Sequence, residues 1–241
     1  MTAEPIVILG GFLSSGWLYH DLRTTLIKLT AQPVSIVNTR GPEWLTVAFR
    51  PGWLRLLRKL DRTVQTAARQ SSTGKVTLIG HSAGGVLARL YLSDRSFLGQ
   101  TYCGLDRVSQ LITLGSPHHN RGGLTYGGRM SQWIERHYPG AYFAPRVAYV
   151  SVAGKSCHGD RHGTRAERLA YNVYRDMCGR GDTWGDGLIP IESAVLHGSQ
   201  SIILDNVSHY SAFGERWYGS AEVVARWWPP SVQALRADSS C

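Results

Sequence analysis

Several features that define whole classes of protein are missing from this 241-residue sequence. No apolar run approaches the roughly 20 residues that a membrane-spanning helix needs. The first residues show neither the basic nor the apolar segment of an export signal, so we expect a cytoplasmic protein. Internal repeats and low-complexity tracts are also absent. We therefore expect residues 1–241 to form a single domain with a sizeable core.

Cysteine is scarce and scattered. The four thiols, at Cys103, Cys157, Cys178 and Cys241, show none of the spacings of zinc-binding or redox motifs. Cys157 and Cys178 flank one glycine-rich segment and would pair in an oxidising compartment, whereas free thiols are the default without an export signal. We expect neither a metal ion nor another cofactor.

Acidic residues are few, with 17 Asp and Glu against 26 Lys and Arg, which gives a formal charge of +9. No zinc-finger, RNP or helix-turn-helix signature accompanies this charge, so we do not expect nucleic acid as a partner. Arg55, Arg58, Lys59 and Arg62 lie on one side of a predicted amphipathic helix. This side is either a solvated face or a point of peripheral contact with an anionic membrane. We expect a monomer.

Short apolar runs alternate with helical patterns along most of the chain. This alternation predicts an α/β fold with a mostly parallel central sheet and helices on both faces. The predicted strands cover residues 6–9, 34–37, 76–79, 111–114, 147–152 and 201–204, and the predicted helices cover residues 17–29, 51–69, 83–92, 130–138, 166–174 and 220–228.

The sequence Gly80-His81-Ser82-Ala83-Gly84 stands between a predicted strand and a predicted helix. In that context Gly-x-Ser-x-Gly is the signature of a nucleophile elbow, a sharp turn that exposes the serine hydroxyl above a sheet. The flanking glycines have no Cβ to collide with the adjacent strand and helix. We therefore predict Ser82 as a nucleophile.

A nucleophilic serine needs a general base, and the base needs a carboxylate to orient it. After a serine elbow, the acid and the histidine follow in that order along the chain. Asp186, in a glycine-flanked turn, is the predicted acid, with Asp160, Asp182 and Asp205 as alternatives.

His209 follows the last predicted strand and is the predicted base. His197, which precedes that strand, is a weaker alternative. His81, within the elbow, is expected to point away from the base position and to contact substrate.

An oxyanion hole needs two donors. The backbone N–H of Ala83 is one, and the N–H of Phe12 in the loop after the first strand is the other. Gly11 and Leu13 in the same loop are predicted substrate contacts, and the Phe12 ring would form part of an acyl pocket.

Together these motifs resemble the lipase and esterase branch of the α/β-hydrolases. The resemblance rests on Gly80-His-Ser-Ala-Gly84, Gly185-Asp-Gly-Leu-Ile-Pro190, His209 and Leu114-Gly-Ser-Pro-His118. The last segment is similar to the Ser/Thr-Pro-His loops of lipases and of enzymes that deacylate lipid anchors. The resemblance covers nearly the whole chain and implies the α/β-hydrolase fold.

The resemblance also implies a lid or cap over the site, within residues 116–185. Trp133, Tyr138, Tyr142 and Phe143 would line an acyl-binding face there or belong to the ordinary core. Trp133 and Tyr142 are the predicted substrate contacts. Many such lipases have His-Gly-Phe after the first strand, whereas this chain has Gly-Gly-Phe and so lacks the histidine that usually supports the loop.

The expected activity is hydrolysis of carboxylic esters, with lipid or medium-to-long acyl esters preferred. An acyltransferase or a thioesterase with the same three residues remains an alternative. A binding protein that kept the fold and lost turnover is an alternative of another class.

Overall fold

The centre of the molecule is a six-stranded sheet in which all neighbouring strands are parallel. The computed structural model describes residues 4–48, 50–122, 126–144 and 146–228. The strands are β1 (Ile6–Leu9), β2 (Val34–Ile36), β3 (Val76–His81), β4 (Val108–Leu114), β5 (Ala148–Lys155), β6 (Cys157–His158), β7 (Trp184–Gly185) and β8 (Gln200–Asp205). The large sheet has the order β2-β1-β3-β4-β5-β8, and β6 pairs with β7 in a separate antiparallel ribbon.

Helices cover both faces of this sheet. Val7 and Leu9 of β1 join one apolar cluster, whereas Ile6 and Ile8 join another on the opposite face. A strand buried on both faces is typical of a parallel sheet, and the predicted architecture is confirmed. The helices are α1 (His20–Thr30), α2 (Arg50–Ala68), α3 (Ala83–Leu92), α4 (Tyr126–His137), α5 (Arg165–Cys178), α6 (Ile191–Ala194) and α7 (Ala221–Trp227). Short 3-10 turns cover Gly16–Tyr19, Gly41–Ala48, Gly104–Asp106 and Ser211–Phe213.

Parallel strands place all their carboxyl ends at one edge of the sheet, and ligands of open α/β sheets bind there. We call this the carboxyl edge and the opposite one the amino edge. The loops after β1, β3 and β8 bring Gly11, Ser82 and His209 to the carboxyl edge. The sheet thus gathers residues that are far apart in the sequence.

Asp186 reaches the same edge by an excursion of the chain after β5. The excursion contains β6, α5 and β7. Helix α5 begins with a capping box between Thr164 and Glu167 and ends at Gly179, whose φ of 90° is easily adopted only by glycine. The helix is longer than the predicted residues 166–174, because both of its ends are capped outside that range.

Among the described residues, no helix combines the length and apolar character needed to cross a bilayer. Cys103, Cys157 and Cys178 are free thiols. Cys241 lies outside the described residues.

Candidate active site

Ser82 occupies a strained turn between β3 and α3. Its backbone has φ 55° and ψ −130°, a combination that non-glycine residues adopt at a cost of order 1–3 kcal/mol. Its N–H donates to the carbonyl of Leu114 at 2.9 Å, which holds the turn on the neighbouring strand. A Cβ on Gly84 would collide with the carbonyl oxygens of Leu9 and Gly10. Glycine at position 84 therefore lets α3 approach β1 closely enough to form the elbow.

His209 and Asp186 form a buried pair at the same edge. Nδ1 of His209 lies 2.7 Å from Oδ2 of Asp186, and both side chains are essentially inaccessible to solvent. The backbone N–H of His209 also donates to the carbonyl oxygen of Asp186 at 2.8 Å. Because a carboxylate only accepts hydrogen bonds, Nδ1 carries the hydrogen and Nε2 is left as the basic nitrogen.

The Asp186 carboxylate is satisfied by three further donors. Oδ1 accepts from the N–H groups of Leu188 at 3.0 Å and Ile189 at 2.7 Å, and Oδ2 accepts from the Tyr218 hydroxyl at 2.8 Å. Burial and the nearby Asp186 charge raise the pKa of Tyr218 well above its usual value, so this hydroxyl stays a donor. A buried carboxylate is costly unless it is hydrogen-bonded, and here it is fixed on all sides.

The alternative acids do not meet His209. Asp160, Asp182 and Asp205 are exposed, and Asp205 pairs with Lys155 at 3.6 Å. His197, the alternative base, is exposed just before β8, at the amino edge. Asp186 and His209 are thus the acid and histidine that the structure brings together.

A second chain of hydrogen bonds links the loop after β1 to His209. The N–H of Gly11 donates to the Tyr19 hydroxyl at 2.9 Å, and that hydroxyl lies 2.9 Å from Nδ1 of His81. Nε2 of His81 lies 3.1 Å from the carbonyl oxygen of His209. A carbonyl only accepts, so Nε2 carries the hydrogen, and Tyr19 donates to Nδ1.

Burial lowers the pKa of His81 well below its usual value, and the neighbouring His209 lowers it further, so this ring is neutral. The side chain is fully buried, with both ring nitrogens engaged. The structure therefore corrects the expectation that His81 contacts substrate. As the neighbour of Ser82 in the elbow, His81 points its ring into the protein, where it supports Tyr19 and His209.

Of the two predicted oxyanion donors, Ala83 directly follows Ser82 and Phe12 lies in the loop after β1. The N–H of Gly11 is engaged by Tyr19, whereas in the described part of the chain no acceptor takes the N–H of Phe12 or of Ala83. A Cβ on Gly11 would lie 2.7 Å from Cβ of Ser82, so the loop runs directly against Ser82. The side chains of Phe12 and Leu13 are 46% and 51% exposed beside it.

Within the described residues, the Ser82 hydroxyl makes no hydrogen bond, to His209 or to any other group. Catalytic contacts of this kind are often long in the absence of substrate and tighten when it binds.

The structure places Trp133 and Tyr142, both predicted substrate contacts, at the amino edge. Trp133 stacks on His137 with ring centroids 4.4 Å apart and meets Phe97 at 5.2 Å. Since α3 starts at the carboxyl edge with Ser82, Phe97 beyond its far end lies at the other edge. Tyr142 packs on Tyr138 just before β5 begins. These rings pack on one another at the amino edge, with Tyr142 54% exposed, so the structure does not bring Trp133 and Tyr142 to the edge that carries Ser82.

Sequence reasoning missed Tyr19 and Tyr218. The Tyr218 hydroxyl accepts the N–H of Gly154 at 2.7 Å and donates to Asp186, which ties the acid to β5. A buried tyrosine usually has a partner for its hydroxyl, but the sequence does not indicate which one. His118 is fully buried, and its Nε2 lies 3.0 Å from Thr113 Oγ1.

Comparison with known proteins agrees with this architecture. Residues 54–127, which include the elbow, match a family model described as a PGAP1-like alpha/beta domain. No curated protein sequence matches the chain. The structure of Est1E from Butyrivibrio proteoclasticus is similar, with a TM-score of 0.50 and 12% identity over 98% of this chain and 89% of that one.

Tomato methylketone synthase I, complexed with 2-tridecanone, has a TM-score of 0.49 at 8% identity, over 99% of both chains. Aspergillus fumigatus lipase B has a TM-score of 0.45 at 9% identity, over 62% of this chain and 37% of that one. This chain therefore spans well under half of that lipase. From the sheet, the elbow and the similarity to Est1E, the chain has the α/β-hydrolase fold.

Proposed function

We propose that this chain is a serine hydrolase that cleaves carboxylic esters through a covalent acyl-enzyme. Ser82 is the nucleophile, His209 the general base and Asp186 the carboxylate that orients it. The observation that carries the proposal is the buried Asp186–His209 pair, 2.7 Å apart, at the edge where the strained elbow presents Ser82.

The proposed reaction begins when Oγ of Ser82 attacks the ester carbonyl carbon and Nε2 of His209 takes the hydroxyl proton. The tetrahedral intermediate collapses, the carbon–oxygen bond to the alcohol breaks, and the alcohol leaves with the proton from His209. Water then attacks the acyl-enzyme, again with His209 as base, and the acid leaves as Ser82 is restored. Asp186 stabilises the imidazolium that forms in both halves.

We assign the oxyanion hole to the N–H groups of Phe12 and Ala83. Both donors are free of other acceptors in the described part of the chain; Ala83 directly follows Ser82, and Phe12 follows Gly11, which lies against Ser82. One donor of this kind typically contributes about 10²–10³ in turnover. Since Tyr19 holds the N–H of Gly11, the loop has a support that does not depend on a histidine after β1.

We propose a lipid or a medium-to-long acyl ester as substrate. The exposed side chains of Phe12 and Leu13 offer apolar surface to an acyl chain. Because Gly11 has no side chain, the loop that carries them lies directly against Ser82. The lid within residues 116–185 and the cytoplasmic location stay predictions.

The test is hydrolysis of p-nitrophenyl esters of increasing acyl length by the wild type, Ser82→Ala and Ser72→Ala. Ser72 is exposed and serves as the matched control. We expect Ser72→Ala to keep full activity and Ser82→Ala to lose it. The rate should be highest for acyl chains of about eight carbons or more, as in a lipase, whose pocket accepts a long acyl chain. Hydrolysis that survives in Ser82→Ala, or its absence from the wild type with every ester, would overturn the proposal.

A further inference from the structure

Large apolar side chains are exposed on the loops that follow β1 and β2. Phe12, Leu13, Trp17 and Leu45 have exposed fractions of 46%, 51%, 68% and 58%. The Phe12 ring lies 6.2 Å from that of Trp44, and Gly41 lies against the Leu13 carbonyl oxygen, so the two loops are in contact. We call these four side chains the apolar patch. It adjoins Ser82 through Gly11.

A basic groove lies next to the apolar patch. Its volume is about 470 Å³, and the 3-10 turn carrying Leu45 forms one of its walls. Helix α2 forms the other. The groove is lined by Glu43, Thr46, Gly52, Arg55, Arg58, Lys59 and Arg62.

The groove carries excess positive charge. Glu43 is neutralised by Lys59, with Oε1 and Nζ 2.7 Å apart, and Lys59 also donates to the carbonyl of Asn38, just beyond β2. This contact ties the middle of α2 to the carboxyl edge. No carboxylate of the described residues lies within ion-pair distance of Arg55, Arg58 or Arg62.

The apolar patch and the basic groove together favour one class of partner, an anionic lipid surface. A charged helix face alone is usually solvated, and a nucleic acid or acidic protein segment would need only the arginines. Four large apolar side chains exposed beside three arginines fit an anionic bilayer, where apolar groups enter the boundary of the acyl chains and arginines meet lipid phosphates. Phe12 and Leu13 of the apolar patch directly follow Gly11, which lies against Ser82, so the patch adjoins the candidate site.

We propose that the apolar patch and the basic groove together dock this protein on an anionic lipid surface and present Ser82 to esters in that surface. The second half of the proposal rests on the proposed function. The docking itself is independent of it and can be measured with a catalytically silent protein.

Docking is tested by co-sedimentation of the Ser82→Ala protein with vesicles of phosphatidylcholine, with and without phosphatidylglycerol. We expect binding only to the anionic vesicles and a loss of binding as salt is raised. Each basic residue near such a surface contributes about fivefold in partition, so Arg55→Gln/Arg58→Gln/Arg62→Gln is expected to lower binding by about 100-fold.

The matched control is Lys28→Gln/Arg69→Gln/Arg95→Gln. It removes the same charge from exposed positions at the ends of α1, α2 and α3, at the amino edge. We expect it to lower binding by less than about threefold, because charges further away than a Debye length are screened. Equal losses in the two triple variants would overturn the proposal, since net charge alone would then explain binding.

The apolar half is tested by Leu45→Asn against Leu29→Asn. Leu29 is similarly exposed, at 46%, but lies near the end of α1 at the amino edge. We expect about a tenfold loss of binding for Leu45→Asn and none for Leu29→Asn. A short DNA duplex or an acidic peptide that binds as tightly as the vesicles, with no effect of Leu45→Asn, would overturn the proposal in favour of a soluble polyanion.

Activity on a short, soluble ester separates the two proposals. The triple arginine variant with Ser82 intact should hydrolyse such an ester at the wild-type rate and lose only activity on vesicles. Normal hydrolysis without vesicle binding by the wild type would overturn the docking and leave the proposed function intact. Thermal melting of every variant confirms that it is folded.

Discussion

The two edges of the sheet use aromatic side chains for different purposes. At the carboxyl edge, Tyr19 and Tyr218 are buried and use their hydroxyls to hold Gly11, His81 and Asp186. At the amino edge, the rings around Trp133 pack against one another, and the Tyr138 hydroxyl donates to Asp94 and accepts from the N–H of Arg95, far from Ser82. The difference shows that ring type alone does not identify a substrate pocket.

Buried polar groups mark the carboxyl edge more clearly. Asp186, His81 and His209 are essentially inaccessible to solvent, and each is hydrogen-bonded. Such networks fix geometry, and breaking one leaves unpaired groups that are expensive inside a protein. We therefore expect substitutions at the carboxyl edge to affect turnover and those at the amino edge to affect stability.

Asp186→Asn should have the largest effect on turnover. We expect the amide oxygen to keep the N–H groups of Leu188 and Ile189, which turns the amide NH2 group toward Nδ1 of His209. Because NH2 only donates, the ring proton moves to Nε2, and kcat should fall by about 10⁴-fold. The measurement is steady-state hydrolysis of a short p-nitrophenyl ester, with the exposed Asp182→Asn as control. A large loss in Asp182→Asn and a small one in Asp186→Asn would show that the wrong acid was chosen.

Trp133→Ala tests the amino edge. Removing this half-buried ring should lower the free energy of unfolding by about 2–3 kcal/mol, because its contacts with Phe97 and His137 are lost. Its kcat/KM on long-chain esters should stay within about twofold of the wild type, because the residue lies at the edge of the sheet opposite Ser82. Urea unfolding and kinetics on the same preparation check both. An unchanged free energy of unfolding together with a raised KM would indicate that Trp133 contacts the substrate.

The pH dependence of stability should report His81. Burial lowers the pKa of this ring, so the unfolded chain binds a proton more readily than the folded one as the pH falls below about 6.5. The contribution of neutral His81 to the free energy of unfolding is therefore fully present above that pH and decreases below it, by up to about 2 kcal/mol at pH ~5. His118, also with a pKa lowered by burial, adds to the same trend.

Urea unfolding of the wild type, His81→Asn and His197→Asn at neutral and mildly acidic pH measures this. His81→Asn should lose part of the pH dependence, and the exposed His197→Asn should keep it. An unchanged slope in His81→Asn would mean that His81 takes up a proton as readily in the folded protein as in the unfolded chain.

Tyr19→Phe should have the smallest effect of the series. It deletes the hydroxyl that joins the N–H of Gly11 to His81, so both Gly11 and His81 lose a partner. We expect a decrease in kcat of about tenfold with little change in KM, as for a group that positions the oxyanion loop. Tyr142→Phe, exposed at the amino edge, is the control and should change neither constant. A rise in KM with an unchanged kcat would mean that Tyr19 contacts the substrate.

The sequence predicts the fold well because each strand and helix has its own local pattern. That Asp186 and His209 meet at the edge that carries Ser82 could be predicted for a related reason, because their order along the chain and their positions after particular strands follow from the elbow. Their catalytic roles stay predictions. His81 was misplaced because a neighbour of the nucleophile can point to either side of the turn. Trp133 and Tyr142 were misplaced because the resemblance to lipases suggested a lid in this segment, although a parallel strand predicted at residues 147–152 already puts the residues just before it at the amino edge.

Covalent labelling by a fluorophosphonate tests the central claim most directly. Intact-mass analysis of the folded protein, followed by peptide mapping, should find one adduct, on Ser82. It should be missing from Ser82→Ala and should form far more slowly in Asp186→Asn. An unlabelled Ser82 in folded protein, or an adduct that persists in Ser82→Ala, would contradict the account.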